Sequence, residues 1–345
     1  ASGKSDVALW EHGWATWTTP YGKLDIGRMK GGVFGLGLFE SEAVRDRIKW
    51  TTKVGDVALL GIIEKNREQG TTGQYADNDS EALYLAGIYK TADTEIGCLL
   101  GQTRDEEQDD ANATSVEHSF SKLIVNPYFN INKKLDNGGV VNVKGEIFNV
   151  SGTKEAKSSG GTDTDVSAMG FYLAAGYEFG NFDIEIGYAN AAGDDKAGDN
   201  EISSLGGAGV VRSGLGDEWV PLVVLQDVNA LLDEGTTSSL GTSTGVSLMY
   251  LQANFDVNEK IKLTGIIGSA SPSTEKLDAS GTKIADSDEP FGNEIDLKLY
   301  WNLSDGVGYF FNLGYLMTGD FFKYGVANAE PESIYTIYHG IEFDF

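Results

Sequence analysis

The chain has 345 residues and a single cysteine, Cys98, so it carries neither a disulfide framework nor a cysteine-based zinc site. Cys98 lies within EIGCLLG and reads as a small apolar strand residue, buried or turned to lipid. Positive charge is scarce. Lys and Arg number 26 against 52 Asp and Glu, a net charge of −26, which excludes a nucleic-acid binder working through a basic surface. Histidine is scarcer still. His12, His118 and His339 fall in separate stretches with no Ser or Asp motif beside them, so no acid–base constellation marks an enzyme. No apolar run approaches the roughly 18 residues of a membrane helix. Long helical periodicity is nearly absent. Mean hydropathy is −0.22. That value does not exclude a membrane protein, because a transmembrane β-barrel alternates apolar with polar residues and averages to a polar composition.

What is present is period-two alternation. Ile295, Leu297, Leu299, Trp301 and Leu303 interleave with Asp296, Lys298, Tyr300 and Asn302. Phe182, Ile184, Ile186 and Tyr188 alternate with Asp183, Glu185 and Gly187. Met169, Phe171, Leu173, Ala175, Tyr177 and Phe179 alternate with small residues, Tyr172 and Glu178. Such runs exceed the usual soluble strand of about 5–6 residues and suit a tilted strand crossing a bilayer.

The connections sort into two kinds. Tight turns fall at TPYG 19–22, KVGD 53–56, TADT 91–94, FGNF 179–182, VNEK 257–260 and LSDG 303–306. Long polar, Gly-rich or acidic loops fall at 31–43, 67–80, 104–116, 151–164, 191–243, 272–290 and 319–332. Short turns on one side and long loops on the other are the asymmetry of outer-membrane barrels. The pattern predicts an all-β chain: a single transmembrane antiparallel β-barrel domain over 1–345 with about fifteen strands. Both the first and the last of these strands run toward the short-turn side. An outward strand is therefore expected before the first, with one to three N-terminal strands missing and 16 or 18 strands in the complete barrel. Closure satisfies every backbone group in hydrocarbon. The apolar set then faces lipid, and Asp183, Glu185, Asp296 and Lys298 face a water-filled lumen. Aromatic residues near strand ends, such as Trp14, Trp17 and Tyr21, fit interfacial girdles.

The segment TWTTPYGKLDIGRMKGG, with Tyr21 to Arg28 reading YGKLDIGR, resembles the strand–turn–strand of Gram-negative outer-membrane porins that precedes their constriction loop. RDRIKWTTKVGDVALLG resembles the wall strand after that loop, and GDFFKYG at 319–325 is similar to porins of anaerobic metal-respiring bacteria. The resemblance implies that Ile341, Phe343 and the terminal Phe345 serve as the barrel-assembly signal. It also implies three strands before the GR turn, residues 31–43 as the constriction loop, and a homotrimer.

Arg45, Arg47, Lys49 and Thr51 share one parity, while Val44, Ile48 and Trp50 take the other, so the three cations form a ladder on the lumen wall. Asp46 shares the lipid-side parity, which points to a rim position or a register slip. The resemblance implies acidic residues opposite the ladder: Glu40 and Glu42 are the candidates, with Arg28 and Lys30 near the loop root. Loop 191–243 contains EWVPLVVLQDVNALLDEG, too apolar for free solution, and is expected to fold back as a lid or plug at the mouth or to pack on a neighbour.

The sequence thus reads as an outer-membrane porin for passive diffusion of ions and small hydrophilic solutes. It has no catalytic residues, cofactor or metal, and its long loops are extracellular. The partners expected are outer-membrane lipid and lipopolysaccharide and the barrel-assembly machinery. The alternative is a barrel that sheathes another protein, such as an electron-transfer cytochrome.

Overall fold

A computed structural model describes residues 12–31, 34–37, 44–67, 79–107, 118–157, 161–196, 199–206, 208, 222–225, 244–278, 280–323, 325–326 and 328–343. Among the described residues there are sixteen strands. These are β1 (Gly13–Thr19), β2 (Gly22–Lys30), β3 (Val44–Val54), β4 (Val57–Arg67), β5 (Ser80–Lys90), β6 (Thr94–Glu107), β7 (His118–Lys134) and β8 (Val140–Ala156). They continue with β9 (Thr164–Phe179), β10 (Phe182–Ala191), the two-residue β11 (Glu201–Ile202), β12 (Val246–Asn258), β13 (Ile261–Ser271), β14 (Gly292–Ser304), β15 (Val307–Thr318) and β16 (Ile334–Phe343). One short 3-10 helix, Asp320–Lys323, interrupts the last long loop. No helix among the described residues is long and apolar enough to cross a membrane, which says nothing of a β-barrel.

Each long strand pairs antiparallel with the next in sequence, and β11 adds to β9 in parallel. The fifteen long strands match the sequence expectation. Several strands outrun their expected ends: β8 reaches Ala156 and β6 reaches Glu107. Polar residues there stay in register with their neighbours, as in Ser119↔Glu155 and Arg104↔Ser121.

The short turns are set by glycine chemistry. Phe179 pairs with Phe182 across a two-residue link whose Gly180 has φ 64°, and Gly306 follows Asp305 with φ 67°. Such left-handed positions suit the two-residue turns that match strand twist.

Alternation then divides the sheet into two faces. On β9, Met169 and Leu173 are exposed on one face while Val166, Ala168 and Tyr172 are buried on the other. Exposed Ile48, Ile63 and Leu83 are register neighbours in one row, which makes a continuous apolar outer band. The next row toward the long loops is Arg28, Asp46, Lys65, Glu81 and Arg104, each the register partner of the one before it and alternating in sign. Asp46 therefore sits at a charged rim that ends the apolar band, with no register slip between β3 and β4. At the rim it meets opposite charge, with Arg28 at 3.4 Å.

The inner face differs from the expectation of polar residues facing a water-filled lumen. Near the long loops, Phe120, Ile124, Val150, Val166, Leu248 and Ile266 point inward and join one buried apolar cluster. Leu205, Ala208, Leu222 and Leu225, all from the 191–243 loop, belong to the same cluster. The inward apolar side chains are thus covered by chain rather than by water, which recovers about 25 cal/mol for each Å² of apolar surface removed from water.

Candidate functional site

The inner wall of β2–β4 carries the expected basic row. Arg45, Arg47 and Lys49 turn inward, while Asp46, Ile48 and Trp50 are exposed outside. The partner of the row is one that sequence reasoning missed, Glu64 on β4, the register neighbour of Arg47. Arg47 Nε donates to the Glu64 carboxylate, Arg45 Nε lies 3.9 Å from it, and Arg45 also donates to Asn66 at 3.1 Å. Glu64 is buried, so its desolvation is offset by two guanidinium groups. Asp25, the register partner of Lys49, accepts from the Thr16 hydroxyl at 2.6 Å and pairs with Lys23 at 3.1 Å.

Arg28 and Lys30 stand elsewhere. On β2 the inward parity belongs to Asp25 and Met29, so Arg28 and Lys30 are exposed on the outer rim. Arg28 pairs there with Asp46 at 3.4 Å. Glu40 and Glu42 lie outside the described residues.

Within 31–43, residues 34–37 reach β7 and β8. Leu36 N–H donates to Glu146 Oε2 at 2.9 Å, and Asn126 Nδ2 donates to Oε1 at 2.9 Å. The Phe34 ring meets Tyr128 edge-on at 5.2 Å. Gly35 has φ 71°, and a Cβ there would fall 2.8 Å from Glu146 Oε1, so the loop backbone comes this close only because the residue is glycine.

Further round the wall, Asp183 and Glu185 both turn inward. Asp183 accepts from Asn254 at 2.6 Å. Glu185 pairs with Lys144 at 2.8 Å and accepts from Tyr250 at 2.6 Å, and the hydroxyls of Tyr250 and Tyr172 lie 2.8 Å apart. On β14 the inward set is Glu294, Asp296 and Lys298. Glu294 was not singled out from the sequence, although it stands two residues before Asp296 and shares its parity.

The 191–243 loop enters at two places. Lys122 Nζ donates to the Ala208 carbonyl at 3.0 Å and pairs with Asp105 at 2.9 Å. Residues 222–225 lie against β14, where the amides of Val223, Val224 and Leu225 donate to Glu294. Beyond the strands, Asp194 is half-buried, and burial raises its carboxyl above the ordinary range. Lys276, buried in the 272–290 loop, has its ammonium pushed down by the same cause.

Outside, Ile341 and Phe343 are exposed on the outer face of β16, while Phe345 lies outside the described residues. Cys98, expected to be buried or turned to lipid, is exposed on β6. No group of three or more metal-ligating side chains occurs among the described residues.

Solved structures share this architecture. Pseudomonas aeruginosa OccK8 (OprE) aligns with a TM-score of 0.52 at 14% identity, covering 95% of this chain and 79% of that one. OccK3 (OpdO) from the same organism aligns at 0.53 and 11% identity, covering 95% and 77%. The outer membrane protein OprD of that organism aligns at 0.51 and 13% identity, covering 92% and 75%. The chain has an outer-membrane porin-like fold. No family model matches its sequence, and no curated protein matches it. In this fold the exposed apolar band is the outer wall of the barrel, and the row of Arg45, Arg47 and Lys49 lines its inner face.

Proposed function

We propose that the chain is a channel for passive diffusion of ions and small hydrophilic solutes across the outer membrane. The observation that carries this reading is the inward row of Arg45, Arg47 and Lys49 behind an apolar outer band, with residues 34–37 reaching across to Glu146. A channel works through its radius and its fixed charges, and an inner wall bearing both signs supplies the second. The 34–37 segment acts as the constriction loop, and the long loops face outward from the cell. Outer-membrane lipid and lipopolysaccharide surround the wall, with the charged rim at the headgroup level. Ile341, Phe343 and Phe345 form the assembly signal read by the barrel-assembly machinery, and the channel is a homotrimer similar to porins of metal-respiring bacteria. The inner charges argue against a sheath for another protein, which would need small contact-making residues. Purified protein in a planar bilayer is expected to show discrete ion-conducting steps. Heat-modifiable gel migration without any conductance would leave a barrel but remove the channel.

A further inference from the structure

We infer that residues 222–225 form a plug latched to the barrel wall by the Glu294 carboxylate, and that loss of this carboxylate releases it. The inference rests on the channel reading and adds a blocked state to it.

Three features build the latch. Glu294 is fully buried on β14, three residues inside the long-loop end of that strand. Its Oε1 accepts from Val223 N–H at 2.8 Å and Val224 N–H at 2.5 Å, and its Oε2 accepts from Leu225 N–H at 2.8 Å. Asp296 Oδ2 accepts from Val223 N–H at 3.1 Å, while its Oδ1, also buried, accepts no hydrogen bond among the described residues. A charged carboxylate with three amide donors is among the stronger hydrogen-bonding arrangements.

The wall beside the latch has sockets. Gly268, the register partner of Glu294, and Gly314, the partner of Asp296, both face inward. A Cβ at Gly268 would come within 2.6 Å of the Leu222 side chain, and one at Gly314 within 2.8 Å of Val223. Leu222 and Leu225 are buried there. Two strands therefore give up side chains where the segment sits.

The latch needs a carboxylate. Glutamine in its place would turn one acceptor oxygen into an N–H donor facing amide donors, so the arrangement would lose acceptors while the amides keep their need for them. The ionisable side chains facing Glu294 on its own strand are Asp296 and Lys298. The register neighbours on β13 are Ile266 and Gly268, those on β15 are Gly314 and Leu316, and residues 222–225 carry no titratable side chain.

The experiment is single-channel recording of the full chain at neutral pH. Wild type is compared with Glu294→Gln and with a variant whose residues 222–225 are replaced by Ser-Gly-Ser-Gly, each checked for barrel formation by heat-modifiable migration. Both variants are expected to conduct about twofold or more above wild type. If Glu294→Gln fails to form a barrel, the replaced-loop variant alone decides. Wild-type conductance in Glu294→Gln overturns the latch. Wild-type conductance in the replaced-loop variant overturns the plug. Conductance absent from every protein overturns the channel reading itself, and this inference with it.

Discussion

Leu36 and Glu146 are 110 residues apart in sequence and joined by a 2.9 Å hydrogen bond from the Leu36 amide to the Glu146 carboxylate. That bond ties a loop between β2 and β3 to the wall at β8. Glu294 does the same for residues 222–225. Two buried wall glutamates thus hold two infolded segments through loop backbone amides.

Glu146→Ala is expected to free residues 34–37 and strand Asn126, whose amide also donates to Glu146. Losing charged acceptors of buried donors costs about 1–3 kcal/mol. The expected outcome is a lower unfolding midpoint together with larger and noisier single-channel steps. Unchanged conductance alongside the lower midpoint would leave Glu146 as a stabilising residue only.

Arg47→Ala removes the closer guanidinium from buried Glu64 and leaves Arg45 at 3.9 Å. Breaking a buried pair typically costs about 3–5 kcal/mol. The variant is expected to be destabilised and to shift its reversal potential in a salt gradient toward cation preference. Removing Glu64 as well, in Arg47→Ala/Glu64→Gln, should recover part of the stability and bring the reversal potential back. A double-mutant cycle measures that coupling.

Leu173 on β9 is about half exposed on the outer face, whereas Gln252 on β12 faces inward. Leu173→Arg is expected to lower folding stability in lipid vesicles by about 2–4 kcal/mol. Gln252→Arg should be nearly neutral, because its guanidinium reaches the interior. Urea titrations followed by tryptophan fluorescence in vesicles test both, and equal costs would contradict the assignment of faces.

Two loop carboxylates should respond to pH with opposite sign. Burial raises Asp194 above its ordinary 3.8, so its contribution to loop order is present below that value and is lost as pH rises through the raised pKa. Asp278 is lowered from 3.8 by the Ser280 hydroxyl and by the amides of Thr282 and Ser280, so its contribution is present above 3.8 and is lost as pH falls through the lowered pKa. Limited proteolysis across acid pH is expected to show cleavage near Asp194 increasing with pH and cleavage near Asp278 decreasing. Asp194→Asn should flatten the first trend and leave the second.

Much of the wall was legible from parity alone. Arg45, Arg47 and Lys49 turn inward because Ile48 and Trp50 fix the opposite parity, and a strand has only two faces. The same logic places Asp183 and Glu185 inside. Arg28 could not be placed from its closeness to the loop root. Its strand's parity, set by buried Asp25 and Met29, sends it to the outer rim beside Asp46. Glu294 shares parity with Asp296, already read as inward, and Glu64 lies opposite Arg47 on the neighbouring strand, yet a single strand pattern does not say which inward acid meets a partner.

The sequence by itself determined the strands, their order and the two faces, since alternation, strand length and turn glycines are local properties of the chain. Tertiary structure alone decided what fills the interior: that Phe120, Val150 and Ile266 point inward yet stay dry, and that Glu146 and Glu294 receive loops. These contacts depend on how a sheet of fifteen long strands curves and on where loops of unequal length land. The hydrogen-bonding capacity of a buried carboxylate is written in its residue type, but the donor that fills it is chosen by proximity in space.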